Sequence, residues 1–275
     1  MYYLIYLYMK HILSLITAVL FLTHALSAQD NSPYKLNPKV DIPVTAAGIG
    51  LSYYGLTLMQ DKDGLTEEEV ANLNKNDVNS FDRFSAGYDS ESADKISDFP
   101  FYGSFGMPFL LLLDDEVRSS AGTVGFLYLQ TMAVTGAIFT MSNGNVERVR
   151  PNAYSPDVDL SEKMRGNTKN AFYGGHNSAT AAATFFAAKV FHDYNPDSPA
   201  RPYVWAAAAT VPAAVSYLRL KAGKHFLSDI ILGYVVGAGA GILVPQLHKK
   251  SNKTNISLVP VTAPQFRGAV LSYTF

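Results

Sequence analysis

The chain has 275 residues, enough to bury a sizeable core in one domain or two small ones, and carries a formal net charge of -1 with only 16% charged residues. That balance excludes the broad basic field of a nucleic-acid binder, so any anion site must be built from a few local cations. It has no cysteine, which excludes disulfides, thiolate nucleophiles and thiolate-bound metals.

The N-terminus opens with Lys10-His11, continues through an apolar run from Ile12 to Leu22, and reaches the small residues of Ala25-Leu26-Ser27-Ala28. This order of charge, apolar middle and small-residue exit predicts a secretory signal peptide over 1–28, with Met9 as the natural start. An uncleaved membrane anchor is the alternative, because Met1 to Tyr8 lengthens the apolar stretch. The body, 29–250, begins with a polar lead, an apolar stretch from Ile42 to Met59 and a polar insert from Gln60 to Ser97. Within the insert, Thr66-Glu67-Glu68-Glu69 has the form of a helix capping box. Asp61-Lys62-Asp63-Gly64 misses the ligand spacing of a calcium loop and reads as an acidic turn.

Apolar helical stretches follow at 100–114, 118–142, 171–192, 202–219 and 225–245, making six with the stretch at 42–59. The last carries Gly233, Gly237 and Gly241 at four-residue spacing, a smooth stripe for close helix approach. The tail, 251–275, alternates over Ile256 to Val261 and Ala269 to Phe275 and predicts a β-hairpin. The predicted fold class is all-α, a six-helix bundle with a C-terminal β-hairpin. Most stretches fall short of the roughly 20 apolar residues of a membrane span or are interrupted. Mean hydropathy is +0.06, low for six spans. The reading leans to a soluble or surface-associated bundle and keeps an integral one open.

Three segments carry the candidate chemistry. Arg148-Val149-Arg150-Pro151 closes one helix, Tyr173-Gly174-Gly175-His176 opens another, and Arg219 precedes His225-Phe226-Leu227-Ser228-Asp229. On one helix, His225 and Asp229 would share a face one turn apart, so the carboxylate could fix the ring tautomer and leave the other nitrogen free to attack. Gly223 permits a tight turn just before them. Gly174 and Gly175 at a helix start offer backbone N–H groups to an anion. His176 is then placed to donate a proton, and Arg150 offers a planar fork to phosphoryl oxygens. Each element alone is more often an ordinary surface pair, cap or cation; the ordered set is what points to phosphate.

That set resembles the type 2 phosphatidic acid phosphatase and vanadium haloperoxidase superfamily over about 100–248. Arg150-Pro151, Gly175-His176, Arg219, His225 and Asp229 match its motifs in order and spacing. The resemblance implies a helical bundle of that kind and a phosphatase in which His225 attacks phosphorus. In it Asp229 orients His225, and His176 serves as acid and then base. Arg150, Arg219 and the Gly174 and Gly175 amides hold the phosphoryl oxygens, with no metal or other cofactor implied. Three positions depart from the pattern: Asn143 stands where the family has lysine, Tyr173 where it has proline and Gly174 where it has serine. Arg148, Lys221 or Lys224 could supply the missing cation.

The expected substrate is a phosphorylated lipid or small phosphate ester, and the expected location is the cell envelope, exported. Two alternatives are a non-catalytic phosphate- or lipid-binding envelope protein and a vanadate-dependent haloperoxidase. Oligomeric state is not legible in the sequence.

Overall fold

A computed structural model describes residues 32–250, 256–263 and 266–273. The signal-peptide assignment, 1–28, lies outside them. Among the described residues the chain forms six long helices: α1 (Pro38–Gln60), α2 (Glu91–Leu110), α3 (Ala121–Asn145), α4 (Gly175–Tyr194), α5 (Arg201–Lys221) and α6 (Leu227–Leu247). A two-stranded antiparallel hairpin follows, β1 (Ile256–Ala263) and β2 (Phe266–Tyr273), in a register that pairs Ile256 with Tyr273 and Ala263 with Phe266. The helical bundle with a terminal hairpin is the fold class read from the sequence.

Helix α4 sits at the centre, against α6, α5, α2 and α3, while α1 lies along α3. Its inner face is made of small residues, among them Ala181, Ala182 and Ala183, so neighbouring backbones approach closely. The glycine stripe of α6 does the same from the other side. A Cβ on Gly237 would lie 2.0 Å from the Ser178 carbonyl oxygen, and one on Gly241 would lie 2.6 Å from that of Ala182. Neither contact is physically possible. Larger side chains, including Leu127, Phe186, Val190 and Tyr194, fill the core between α3 and α4.

The outer helices are inverted relative to those of a water-soluble bundle. In α1 the buried positions are Asp41, Thr45, Gly48 and Gly55, while Val40, Ile42, Val44, Ile49, Leu51, Tyr53 and Leu56 are exposed. In α2, Ser97 and Ser104 turn inward and Phe99, Tyr102, Phe109 and Leu110 turn outward. Large apolar side chains facing out over several helices mark a surface covered by something apolar. Among the described residues four helices, over Pro38–Gln60, Glu91–Leu113, Ala121–Asn145 and Leu227–Leu247, are long and apolar enough to cross a membrane. The sequence reading took these runs as too short. The helices outrun the apolar runs because polar residues such as Asp41, Asp94 and Asp98 continue them while facing inward or toward other polar groups. Membrane association follows from this pattern.

Two boundaries shift for identifiable reasons. Helix α2 starts at Glu91 rather than near 100, because the Ser90 hydroxyl accepts the Ala93 N–H as an N-cap. Helix α6 starts at Leu227, so His225 lies in the preceding turn and not on a helix face with Asp229. The insert is ordered into short turns, and its Thr66–Glu69 capping box closes in both directions.

Candidate active site

The loop after α3, the start of α4 and the α5–α6 turn meet at one end of the bundle. Backbone pairing builds the meeting point: Arg148 N–H donates to the Lys169 carbonyl at 2.9 Å and Arg150 N–H to that of Thr168 at 2.9 Å. Ala171 N–H returns to the Arg148 carbonyl at 3.0 Å. From the third segment, Gly223 adopts φ +63, and a Cβ there would fall 1.7 Å from the Tyr88 carbonyl oxygen. Only glycine allows this turn to fold under the insert.

His225 is buried, and its Nδ1 lies 2.7 Å from the Ala171 carbonyl oxygen. A carbonyl can only accept, so Nδ1 carries the proton and Nε2 is left with its lone pair. The tautomer expected of the Asp229 carboxylate is thus set by a backbone carbonyl. Asp229 is fully buried and turned elsewhere. One oxygen accepts the Phe226 N–H at 2.9 Å, closing the first turn of α6, and the other pairs with Arg148. Burial, then the charges of Arg150 and Arg219, hold the His225 pKa well below the usual imidazole value, with His176 adding a smaller push. The ring is neutral at physiological pH.

Arg150 and Arg219 are near enough for their charges to act on this imidazole. Arg150 gives one N–H to the Asn167 side-chain oxygen at 2.9 Å, but its buried Nε has no partner. Burial and the Arg219 charge pull its pKa down to about 10, which leaves it charged. Arg219 donates to Asp94 at 2.6 Å and lies 3.4 Å from the Ser97 hydroxyl, and its Nε is likewise buried without a partner. Two cations that feel each other's charge, each with a buried Nε lacking a partner, are an arrangement that would favour an anion.

His176 stands in the first turn of α4, its ring 4.0 Å from that of Phe101 and its Nε2 3.7 Å from an Asp98 oxygen. Burial and then the Arg219 charge lower its pKa to about 3, so the ring is neutral at physiological pH. Gly174 is the N-cap of α4, but its amide donates to the Asp229 carbonyl at 3.1 Å and is not directed at a ligand. Gly175 is the first residue of the helix. Asn143, in the last turn of α3, donates to the Asn170 carbonyl at 3.3 Å, and its own side-chain oxygen is buried without a partner.

Of the three cations considered as substitutes for the absent lysine, Lys224 lies nearest the cluster, 3.0 Å from Asp94. Arg148 is held by Asp82 and Asp229, and Lys221 lies over the rings of Tyr88 and Tyr217. Beside Asp94 and Lys224 opens a cavity of about 450 Å³, also walled by Asp89, Asn152 and Glu162.

Sequence reasoning missed Asp82, Asp94, Asp98 and the role of Ala171. Asp94 was assigned to the polar insert, and Asp98 fell between it and the next helix, because the start of α2 was placed too late. Their four-residue spacing after Ser90 was the available signal. Nothing local marks Asp82, and a backbone acceptor such as Ala171 leaves no trace in residue type.

The model of the PAP2 superfamily matches residues 124–253, the stretch that holds every motif residue named above. One solved structure, that of a transmembrane PAP2-type phosphatidylglycerolphosphate phosphatase from Bacillus subtilis, is similar at 17% identity with a TM-score of 0.48, covering 75% of this chain and 98% of that one. No curated protein matches the chain.

Proposed function

From the match of residues 124–253 to the model of the PAP2 superfamily, we propose that this chain is a membrane-associated phosphatase of the cell envelope that hydrolyses phosphomonoester or pyrophosphate groups, foremost those carried on lipids. The observation that carries this reading is His225: its Nδ1–H is anchored on Ala171, and it is buried where the charges of two arginines act on it, arginines whose Nε atoms have no partner.

In the proposed reaction the His225 Nε2 lone pair forms a bond to phosphorus as the bond to the leaving oxygen breaks. Arg150 and Arg219 stabilise the charge spread over the equatorial oxygens. His176, protonated once the phosphate offsets the arginines, gives its proton to the leaving alkoxide. It then takes a proton from water, whose oxygen displaces His225 from phosphorus and releases inorganic phosphate. The positive charge in this scheme comes from side chains. The lipid preference rests on the outward apolar faces of α1 and α2, which would place the site beside a membrane surface.

Purified full-length protein in detergent or vesicles is expected to release inorganic phosphate from a lipid phosphate. His225→Ala should lower the rate by at least about 10³-fold, as loss of a nucleophile does. A phosphoenzyme trapped by rapid quench should be stable in alkali and labile in acid. Equal rates for the two proteins would remove the nucleophile assignment.

A second reading, a phosphate- or lipid-binding protein without turnover, is favoured by Asn143 in place of a cation and by the committed Gly174 amide. Saturable phosphate binding with no phosphate release is the outcome that would select it.

A further inference from the structure

Asp82 comes from the insert between α1 and α2, outside every motif, and is fully buried. Its carboxylate collects four donors. One oxygen accepts the Ser228 N–H at 2.9 Å; the other accepts the Ser228 hydroxyl at 2.6 Å, Arg148 Nη2 at 2.7 Å and Asn79 Nδ2 at 2.8 Å. Ser228 N–H is one of the unsatisfied amides of the first turn of α6, so Asp82 caps that helix from 146 residues away in sequence. Buried carboxylates persist only when paired and fully hydrogen-bonded, and this one is.

The insert's carboxylate reaches the imidazole by two routes. The first runs through Arg148, whose guanidinium is gripped by Asp82 and Asp229 and lies 4.7 Å from the centre of the Phe226 ring. The backbone of that same residue accepts Ala171 N–H, and the Ala171 carbonyl accepts His225 Nδ1–H. The second route is direct: Ser228 lies three residues after His225 and is held from both its amide and its hydroxyl. Arg148 is also two residues before Arg150, so the same grip fixes the loop that carries the phosphate-binding arginine.

We propose that Asp82 is a positioning residue for catalysis, and that the insert is part of the active-site architecture: it locks Arg148 and the start of α6, and through them fixes the Ala171 carbonyl, the His225 ring and the Arg150 loop. The inference rests on the phosphatase reading above. Asp82 touches neither substrate nor the attacking nitrogen. It acts by holding the near-attack geometry, where a displacement of about 1 Å can cost on the order of 10²-fold in rate.

The test uses the full chain in detergent with a lipid-phosphate substrate. Asp82→Asn is expected to lower kcat by about 10- to 100-fold while KM stays within about threefold, since the substrate-binding arginines keep their charge. Acting through Arg148 makes the losses non-additive: the double variant D82N/R148M should lose no more kcat than R148M alone. A D82N kcat within twofold of wild type, or multiplicative losses in the double variant, overturns the proposal. Should D82N fail to fold, Asp82→Glu carries the test, because it keeps the charge and moves it by one methylene. A kcat loss of about 3- to 10-fold at constant KM supports the proposal, and wild-type kcat overturns it. Wild-type protein that releases no phosphate would sink the phosphatase reading itself, whereas an active wild type with an equally active D82N sinks only the role of Asp82.

Discussion

Arg148 and Arg150 are two residues apart on one loop and have opposite circumstances. Arg148 meets two fully buried carboxylates, Asp82 and Asp229, together with the Ser228 hydroxyl at 3.0 Å. Arg150 has one neutral partner, Asn167, an unused buried Nε and a second arginine for a neighbour. In the first network, charge and hydrogen-bonding capacity are satisfied within the protein, which is how a scaffold is built. In the second they are left open around His225, which stabilises nothing in the empty protein and much once an anion binds. The contrast separates residues that hold the site from residues that use it, more sharply than sequence order does.

Two substitutions test that separation directly. Arg148→Met leaves two buried carboxylates without their cation and is expected to destabilise the fold by about 3–5 kcal/mol. A thermal melt in detergent reads this as a large drop in Tm, with activity reduced but measurable below the melt. Arg150→Met removes a strained cation instead. It should leave Tm unchanged or raised while lowering kcat by about 10²–10³-fold, the usual loss when one transition-state donor is removed. The comparison breaks if R148M melts like wild type, or if R150M loses stability in proportion to activity.

Much of this arrangement was legible in the sequence. The six helices announced themselves by apolar runs, and the glycine stripe of α6 correctly implied a backbone approach, here onto Ser178 and Ala182. His225, His176, Arg150 and Arg219 were picked because residue type, order and spacing survive without a fold. Their partners were less accessible for physical reasons. Asp229 looked like the natural partner of His225 under helical spacing, but the helix starts two residues later and the carboxylate is taken up by its first turn. Ala171 acts through its carbonyl, which every residue possesses. Asp82 earns its place only through contacts with residues at 148 and 228, distances in sequence that no local pattern encodes. Membrane association was underestimated because hydropathy averages over inward polar and outward apolar faces, and the outward face of α1 becomes visible only when burial is known.

The smallest expected effect lies in the pH profile. In the proposed mechanism only the neutral form of His225 attacks, so protonation of this ring would set the acid limb of kcat/KM. Burial and the two arginine charges depress its pKa, so in the wild type the limb should fall below the ordinary imidazole value of about 6.5. Arg150→Met deletes one of the two charges and leaves burial in place. The limb should therefore move up toward 6.5 without passing it. The substrate's own phosphate ionisation is common to both proteins and drops out of the difference. Arg148→Met offers the control: its charge is matched by Asp82 and Asp229 and does not figure among the main perturbations of the ring, so whatever activity it retains should show the wild-type limb. A limb that moves upward in R148M but stays put in R150M would mean that the wrong arginine had been assigned to the site.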